Sequence, residues 1–226
     1  MTALEPDGPA PSGAGLQLVR PSLRDQTLRV LRQRLVTGAL VPGRIYSVTA
    51  LAAELGVSNS PVREAMLELQ NQGLVEAVRN RGFCVVQLSR REREDILQVR
   101  MMLEVPAMAQ LAGRQEYWRA DAEFTRISEE ILQAAEANDL LAFLDADRRF
   151  HLGLLRLLGN EALVDVVALM RDRTRLFADH ATILRSAEEH PGILEALRTS
   201  DPVAASQRMT EHLHHVLDDW SGDLPQ

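Results

Sequence analysis

LAAELGVSNSPVREAMLELQNQGLVE, residues 51–76, reads as helix, tight turn and helix. Leu51, Ala52 and Leu55 form one apolar face, Gly56 ends it and Val57 plugs the turn. Val62, Ala65, Met66 and Leu69 then recur at i, i+3, i+4 and i+7, the spacing of a helix with one buried stripe. Ser60 before Pro61 marks the expected start of the second helix, because a hydroxyl caps free N–H groups and proline is tolerated at the first helical position. Asn59, Ser60, Arg63 and Leu67 then face away from the core near that start. A helix-turn-helix presents groups to base edges and phosphates from this place.

Gly73 should end the second helix, after which Leu74–Val78 can pair with Phe83–Leu88 around the tip Arg79-Asn80-Arg81-Gly82. Two arginines and a glycine on a hairpin tip suit a minor groove, where the potential is negative and the backbone must come close. Upstream, Leu23, Leu28, Leu31 and Leu35 fit a helix whose other side carries Arg24, Arg29, Arg32 and Arg34, a solvated face that is also placed to touch phosphate. Residues 16–90 hold ten arginines against five acids, a net of +5. Residues 91–226 hold fifteen against twenty-five, a net of −10. Nucleic-acid affinity is therefore expected at one end only. All twenty-five basic residues are arginine, which reads mainly as genome composition.

The run SNSPVREAM, the following QGLVE and the ribbon ending in RGFCVV together resemble the winged DNA-binding domain of the GntR family of bacterial transcription regulators. TGALVPGRIYSVTALAAELGV, with its turn before the first reading helix, extends the resemblance over residues 20–88. The resemblance implies contacts to double-stranded operator DNA from Arg44, Ser58, Asn59, Ser60 and Arg63, and from Arg79, Arg81 and Gly82 on the wing. One departure matters: the family usually has arginine where this chain has Asn59. Asparagine pairs with adenine in the major groove but cannot make the arginine fork to guanine.

The opening MTALEPDGPAPSGAG cannot build a core, so residues 1–15 read as a disordered tail. It lacks the basic start and apolar run of a signal peptide, and no segment reaches the roughly 18 apolar residues of a membrane span. A soluble, cytoplasmic protein with no membrane contact is expected. The single cysteine, Cys84, leaves no internal disulfide and reads as a small core residue.

The organisation expected is mainly α: a winged helix-turn-helix domain over residues 16–88 and an all-helical antiparallel bundle over 89–221. The bundle helices are placed near 89–112, 117–137, 139–158, 161–186, 192–199 and 202–219. Breakers such as Gly113, Asn138-Asp139, Gly159-Asn160 and Pro191-Gly192 separate them. Short loops between long amphipathic helices make antiparallel neighbours.

Three stripes of this bundle are interrupted by chemistry. Leu140, Leu144, Asp147, His151, Leu154 and Leu158 put a carboxylate and an imidazole on one inward face, one turn apart. Ala205, Met209, His212 and Val216 repeat the rhythm, and His190 begins a face continued by Ile193, Leu194 and Leu197. A buried carboxylate needs a partner. Asp147, His151, His190 and His212 together suit a divalent transition metal such as Zn, Ni or Mn. A single inward histidine is more often a satisfied core residue, but four such groups from three helices shift the balance. The set also resembles the metal-binding FCD domain of the FadR subfamily of GntR regulators, with D-x-x-x-H on one helix and two later histidines. VRMMLEVPAMAQLA is similar to that domain's first helix.

That resemblance implies a small organic acid effector reaching the metal through its carboxylate, and a homodimer reading an inverted repeat. Arg100, on the stripe of Ile96, Leu103 and Ala107, and Arg173, on that of Val166, Met170, Phe177, His180 and Leu184, are candidate carboxylate clamps. Arg100 paired with Glu104 is the structural alternative, and His180 is a candidate for the pocket wall. His214 and His215 lie off the stripe. The expected function is a ligand-responsive transcriptional regulator, chiefly a repressor. Rival readings are a metal sensor, a purely structural metal, and a metal-dependent hydrolase. The last is disfavoured because no H-E-x-x-H and no nucleophile motif is present, so the protein is not expected to be an enzyme.

Overall fold

A computed structural model of the protein describes residues 21–174 and 180–218. The tail at residues 1–15, the stripe position Phe177 and residues 219–221 of the expected bundle lie outside the described residues.

The first half consists of α1 (Leu23–Val36), β1 (Ile45–Tyr46), α2 (Val48–Leu55), α3 (Asn59–Asn71), β2 (Val75–Val78) and β3 (Gly82–Val85). Ser22 and Asp25 form a reciprocal capping box that opens α1. Gly56, at φ 68°, turns the chain from α2 towards α3. The stripe Val62, Ala65, Met66 and Leu69 is fully buried against Leu31, Leu35, Leu51 and Val75. α3 begins two residues earlier than the Ser60-Pro61 signal suggests, with Ser58 at the cap position and Ser60 donating instead to Glu64. Pro61 costs nothing there, because the N–H groups of the whole first turn have no intrahelical partner.

The wing pairs Val75 with Val85 and Val78 with Gly82, and β1 adds to the other side of β3, giving the order β1-β3-β2. Gly82 has φ 124°, and a Cβ there would lie 2.1 Å from the Tyr46 carbonyl oxygen. The glycine thus answers to the passage of β1 inside the protein. The arginines of α1 are also largely engaged: Arg24 pairs with Glu68, Arg34 with Glu54, and Arg32 donates to Gln72. These contacts tie α1 to α2 and α3. Arg29 stays exposed with no ion pair among the described residues.

The second half is a helical bundle: α4 (Arg90–Leu111), α5 (Gln115–Glu136), α6 (Leu140–Arg156), α7 (Glu161–Thr174), α8 (His180–Arg198) and α9 (Pro202–Asp218). Ser89 and Glu92 form a second capping box, so the wing leads into the bundle within four residues. α4 packs on α9, α7 and α6, α5 on α6 and α8, and α8 on α9. Their shared core includes Leu97, Met108, Phe124, Phe150, Leu154, Val167, Ile193 and Met209. The expected break at Pro191-Gly192 is absent, and α8 runs through both residues to Arg198. Burial of Ile193, Leu194 and Leu197 carries the helix past two poor helix formers. No helix among the described residues is long and apolar enough to cross a membrane.

Candidate functional site

Five helices of the bundle send polar side chains into one buried cluster. Asp147 and His151 come from α6, His190 from α8 and His212 from α9, and one donor atom from each lies within 4.8 Å of the others. All four are at most 1% exposed. Nε2 of His190 lies 3.1 Å from Asp147 Oδ1 and 3.3 Å from His151 Nε2, and His212 Nε2 lies 3.2 Å from His151 Nε2. Ligand atoms about 2.1 Å from one metal ion sit about 3.0 Å apart at octahedral edges and about 3.4 Å apart at tetrahedral ones. The three separations of 3.1, 3.3 and 3.2 Å fall in that interval.

The outer ring nitrogens explain which atoms face inward. His212 Nδ1 lies 2.8 Å from Glu189, and His190 Nδ1 lies 3.4 Å from the Ala187 carbonyl oxygen. The Ala187 carbonyl and the Asp147 carboxylate both only accept, so a neutral His190, with one N–H, can satisfy one of them; with the proton on Nδ1, its Nε2 lone pair faces an Asp147 oxygen. Two lone pairs at 3.1 Å repel unless a cation or proton lies between them. Burial, together with Arg171 and the neighbouring histidines, holds the His151 pKa well below the imidazole range. Burial likewise lowers His212 to about 4, against the opposing pull of Glu189. With His151 and His212 held neutral, the donor set of three imidazoles and one carboxylate fits a divalent metal.

α4 and α7 supply the surrounding charges. Glu104 is wedged between two fully buried guanidinium groups, with Arg100 Nε at 2.7 Å and Arg171 Nη1 at 2.8 Å. Burial alone would raise the Glu104 pKa, but Arg100, Arg171 and His151 override it and hold the group well below the carboxylate range. Arg171 Nη2 also donates to Asp147 Oδ2 at 2.7 Å, leaving Oδ1 to the histidines. Metal ligands are oriented by such outer partners.

Two expected pocket residues lie elsewhere. Arg173 sits against Gly73 at the end of α3, where its Cγ and Cδ would be 3.1 Å from an added Cβ. His180 is exposed at the start of α8. The inward face of α7 is Val164, Val167, Arg171 and Thr174, not the stripe through Val166 and Met170. α7 is apolar nearly all round, so several stripes satisfied the same periodicity. Arg171, absent from the sequence reading, was accessible to it through the i, i+3, i+4 steps from Val164 and Val167.

On the first half, Ser58, Asn59, Ser60 and Arg63 are exposed along the start of α3, and Arg44, Arg79 and Arg81 are exposed near and on the wing. Gly82 closes the wing loop, in which Asn80 takes φ 60°.

Residues 23–85 match the family described as bacterial regulatory proteins, gntR family, and residues 95–215 match the FCD domain, more than half of the chain. The chain is a GntR-family regulator with an FCD domain. It is similar to the HTH-type transcriptional regulator LutR of Bacillus subtilis, at 32% identity over 82% of this chain and 95% of LutR. The gluconate operon transcriptional repressor of Bacillus licheniformis is 27% identical over 86% of this chain and 82% of its own length. Among solved structures, E. coli McbR/YncC shares the fold, with a TM-score of 0.68 and 24% identity over 89% of this chain and 99% of that one. This GntR regulator is thus a DNA-binding transcription factor, and its relatives are regulators, not enzymes.

Acid should destabilise the metal-free regulator. His151 and His212 have folded pKa values below the 6.5 of an unfolded imidazole. The unfolded chain therefore binds more protons below that pH, and stability falls as pH drops. Both histidines contribute a loss of this sign as pH falls from 6.5 towards 5. Urea melts of chelator-treated protein at pH 7.5, 6 and 5 read this directly, and a flat profile would contradict the buried neutral cluster.

Proposed function

We propose that this regulator binds an operator as a homodimer, acting as a repressor, and changes its operator affinity when a small organic acid binds at a metal in the bundle. Asp147, His151, His190 and His212 would hold Zn, Ni or Mn, and the ion would act as a Lewis acid anchoring the effector carboxylate. The observation that carries this reading is the convergence of four buried donor atoms beside Arg171. The Nε of Arg171 is itself buried with no hydrogen-bond partner. A carboxylate entering beside it would gain a charge-assisted donor. The kinship with a gluconate operon transcriptional repressor supports repression as the mode of action.

α3 would read the major groove with Asn59, Ser60 and Arg63, and the wing arginines Arg79 and Arg81 would follow the backbone or minor groove, with Arg44 and Ser58 at phosphates. The helices α4 and α7, packed on each other, leave Val99, Met102, Val166 and Leu169 exposed, a surface suited to a second copy. Three consecutive residues of α7 would link site to reading head. Arg171 holds Asp147 and Glu104. Asp172 pairs with Arg148 and shares a cleft with Arg32 of α1. Arg173 packs on the turn at Gly73.

A second reading, in which the ion is itself the signal, is favoured by the pairing of Arg100 and Arg171 with Glu104 and Asp147. Operator affinity measured by fluorescence anisotropy separates the two, in metal-free buffer, with metal, and with metal plus small mono- and dicarboxylates. A change that requires the acid supports effector control, a change with metal alone supports metal sensing, and no change in either condition removes both. Arg63→Ala in the same assay should weaken operator binding by about 1–3 kcal/mol. An unchanged affinity and sequence preference would mean that α3 is not the reading helix.

A further inference from the structure

His190 is followed by Pro191 and Gly192 inside an unbroken α8. Proline is the least favourable residue in a helix interior because it lacks the N–H that would bond the carbonyl four residues back. For Pro191 that carbonyl belongs to Ala187. The same Ala187 oxygen is the partner of His190 Nδ1 at 3.4 Å, in a fully buried position. His190 Nε2 meanwhile points at Asp147 and His151. The helix bond that proline deletes is replaced by a bond from the imidazole one residue before it.

We propose that Pro191 is a positioning residue for the metal site: it keeps the Ala187 carbonyl available to His190 Nδ1, which fixes the tautomer and ring orientation that present Nε2 to the ion. This rests on the reading of the four-residue cluster as a metal site. It also gives a reason for a proline at this interior position, since local rules of sequence are broken where function needs it. The other histidines obtain their outer support differently. His212 uses the Glu189 carboxylate, whereas His151 Nδ1 has only Glu104, at 3.6 Å, beyond hydrogen-bonding distance.

The test is Pro191→Ala, which supplies the missing N–H and draws the Ala187 carbonyl back into the helix ladder. Zn²⁺ affinity is measured by chelator competition, and melting temperature on metal-free protein. The variant is expected to bind Zn²⁺ about 10-fold more weakly, the lower end of what loss of an outer partner costs, while its metal-free melting temperature rises. A merely structural proline would not move the two readouts in opposite directions. Nitrogen NMR of the His190 ring should show the proton on Nδ1 in the wild type and a mixture of tautomers in the variant. Equal Zn²⁺ affinity in the two proteins overturns the role of Pro191. A wild type that takes up no Zn²⁺ overturns the metal reading itself, and this inference with it.

Discussion

Alanine in place of Glu104 is expected to lower the stability of the metal-free regulator by about 3–5 kcal/mol, the range for removing one partner of a buried ion pair. For a chain of this size that is a fall of roughly 6–20 °C in melting temperature. The size follows from its neighbours. Arg100 and Arg171 are each at most 2% exposed, and Glu104 answers both with separate oxygens. Arg100 already has its pKa lowered to about 10, by burial against the pull of Glu104. Without the carboxylate, Arg100 loses its ion-pair partner and Arg171 keeps only Asp147. Differential scanning calorimetry of the variant reads the effect, and a loss below about 1 kcal/mol would show that water reaches this network.

Removing one of the four central donors should have the largest effect on metal uptake. His212→Ala is the cleanest choice because it deletes a ligand without orphaning a buried charge: Glu189 is partly exposed and retains its contact with His215. Loss of an outer partner alone costs 10–100-fold in affinity, so loss of a ligand should exceed about 100-fold. Metal content of purified protein by mass spectrometry, followed by Zn²⁺ titration, checks this. Wild-type affinity in His212→Ala would show that the ion, if bound, is held elsewhere.

Much of this architecture could be read from periodicity. The stripes of α3 and α6 held because each is amphipathic, with apolar residues on one side and charges on the other. Asp147 and His151, four residues apart, had only one inward face to share. α7 was misread for the opposite reason. Leu163, Val164, Val166, Val167, Leu169 and Met170 cover most of its circumference, so only packing against α4 and α6 chooses Arg171 over Arg173. Pro191-Gly192 looked like a boundary because local propensity opposes a helix there, and tertiary burial overrules it. Glu68 and Glu54, which pair with Arg24 and Arg34, lie 44 and 20 residues away along the chain, pairings that spacing does not encode. β1, two residues long, is too short to carry any alternation.

The contact between α6 and α7 has one more consequence. Asp147 meets Arg171 and, one step along both helices, Arg148 meets Asp172, so the two ion pairs run with opposite polarity. Consecutive residues of a helix lie about 100° apart, so the buried pair and the partly exposed pair tie α6 to α7 on two different faces, and turning or sliding either helix alone would break at least one of them. The two helices are keyed together as teeth of reversed sign. A rearrangement that keeps both keys engaged must carry α6 and α7 as one rigid lever, with its fulcrum in the buried cluster and its free end against the turn that follows α3.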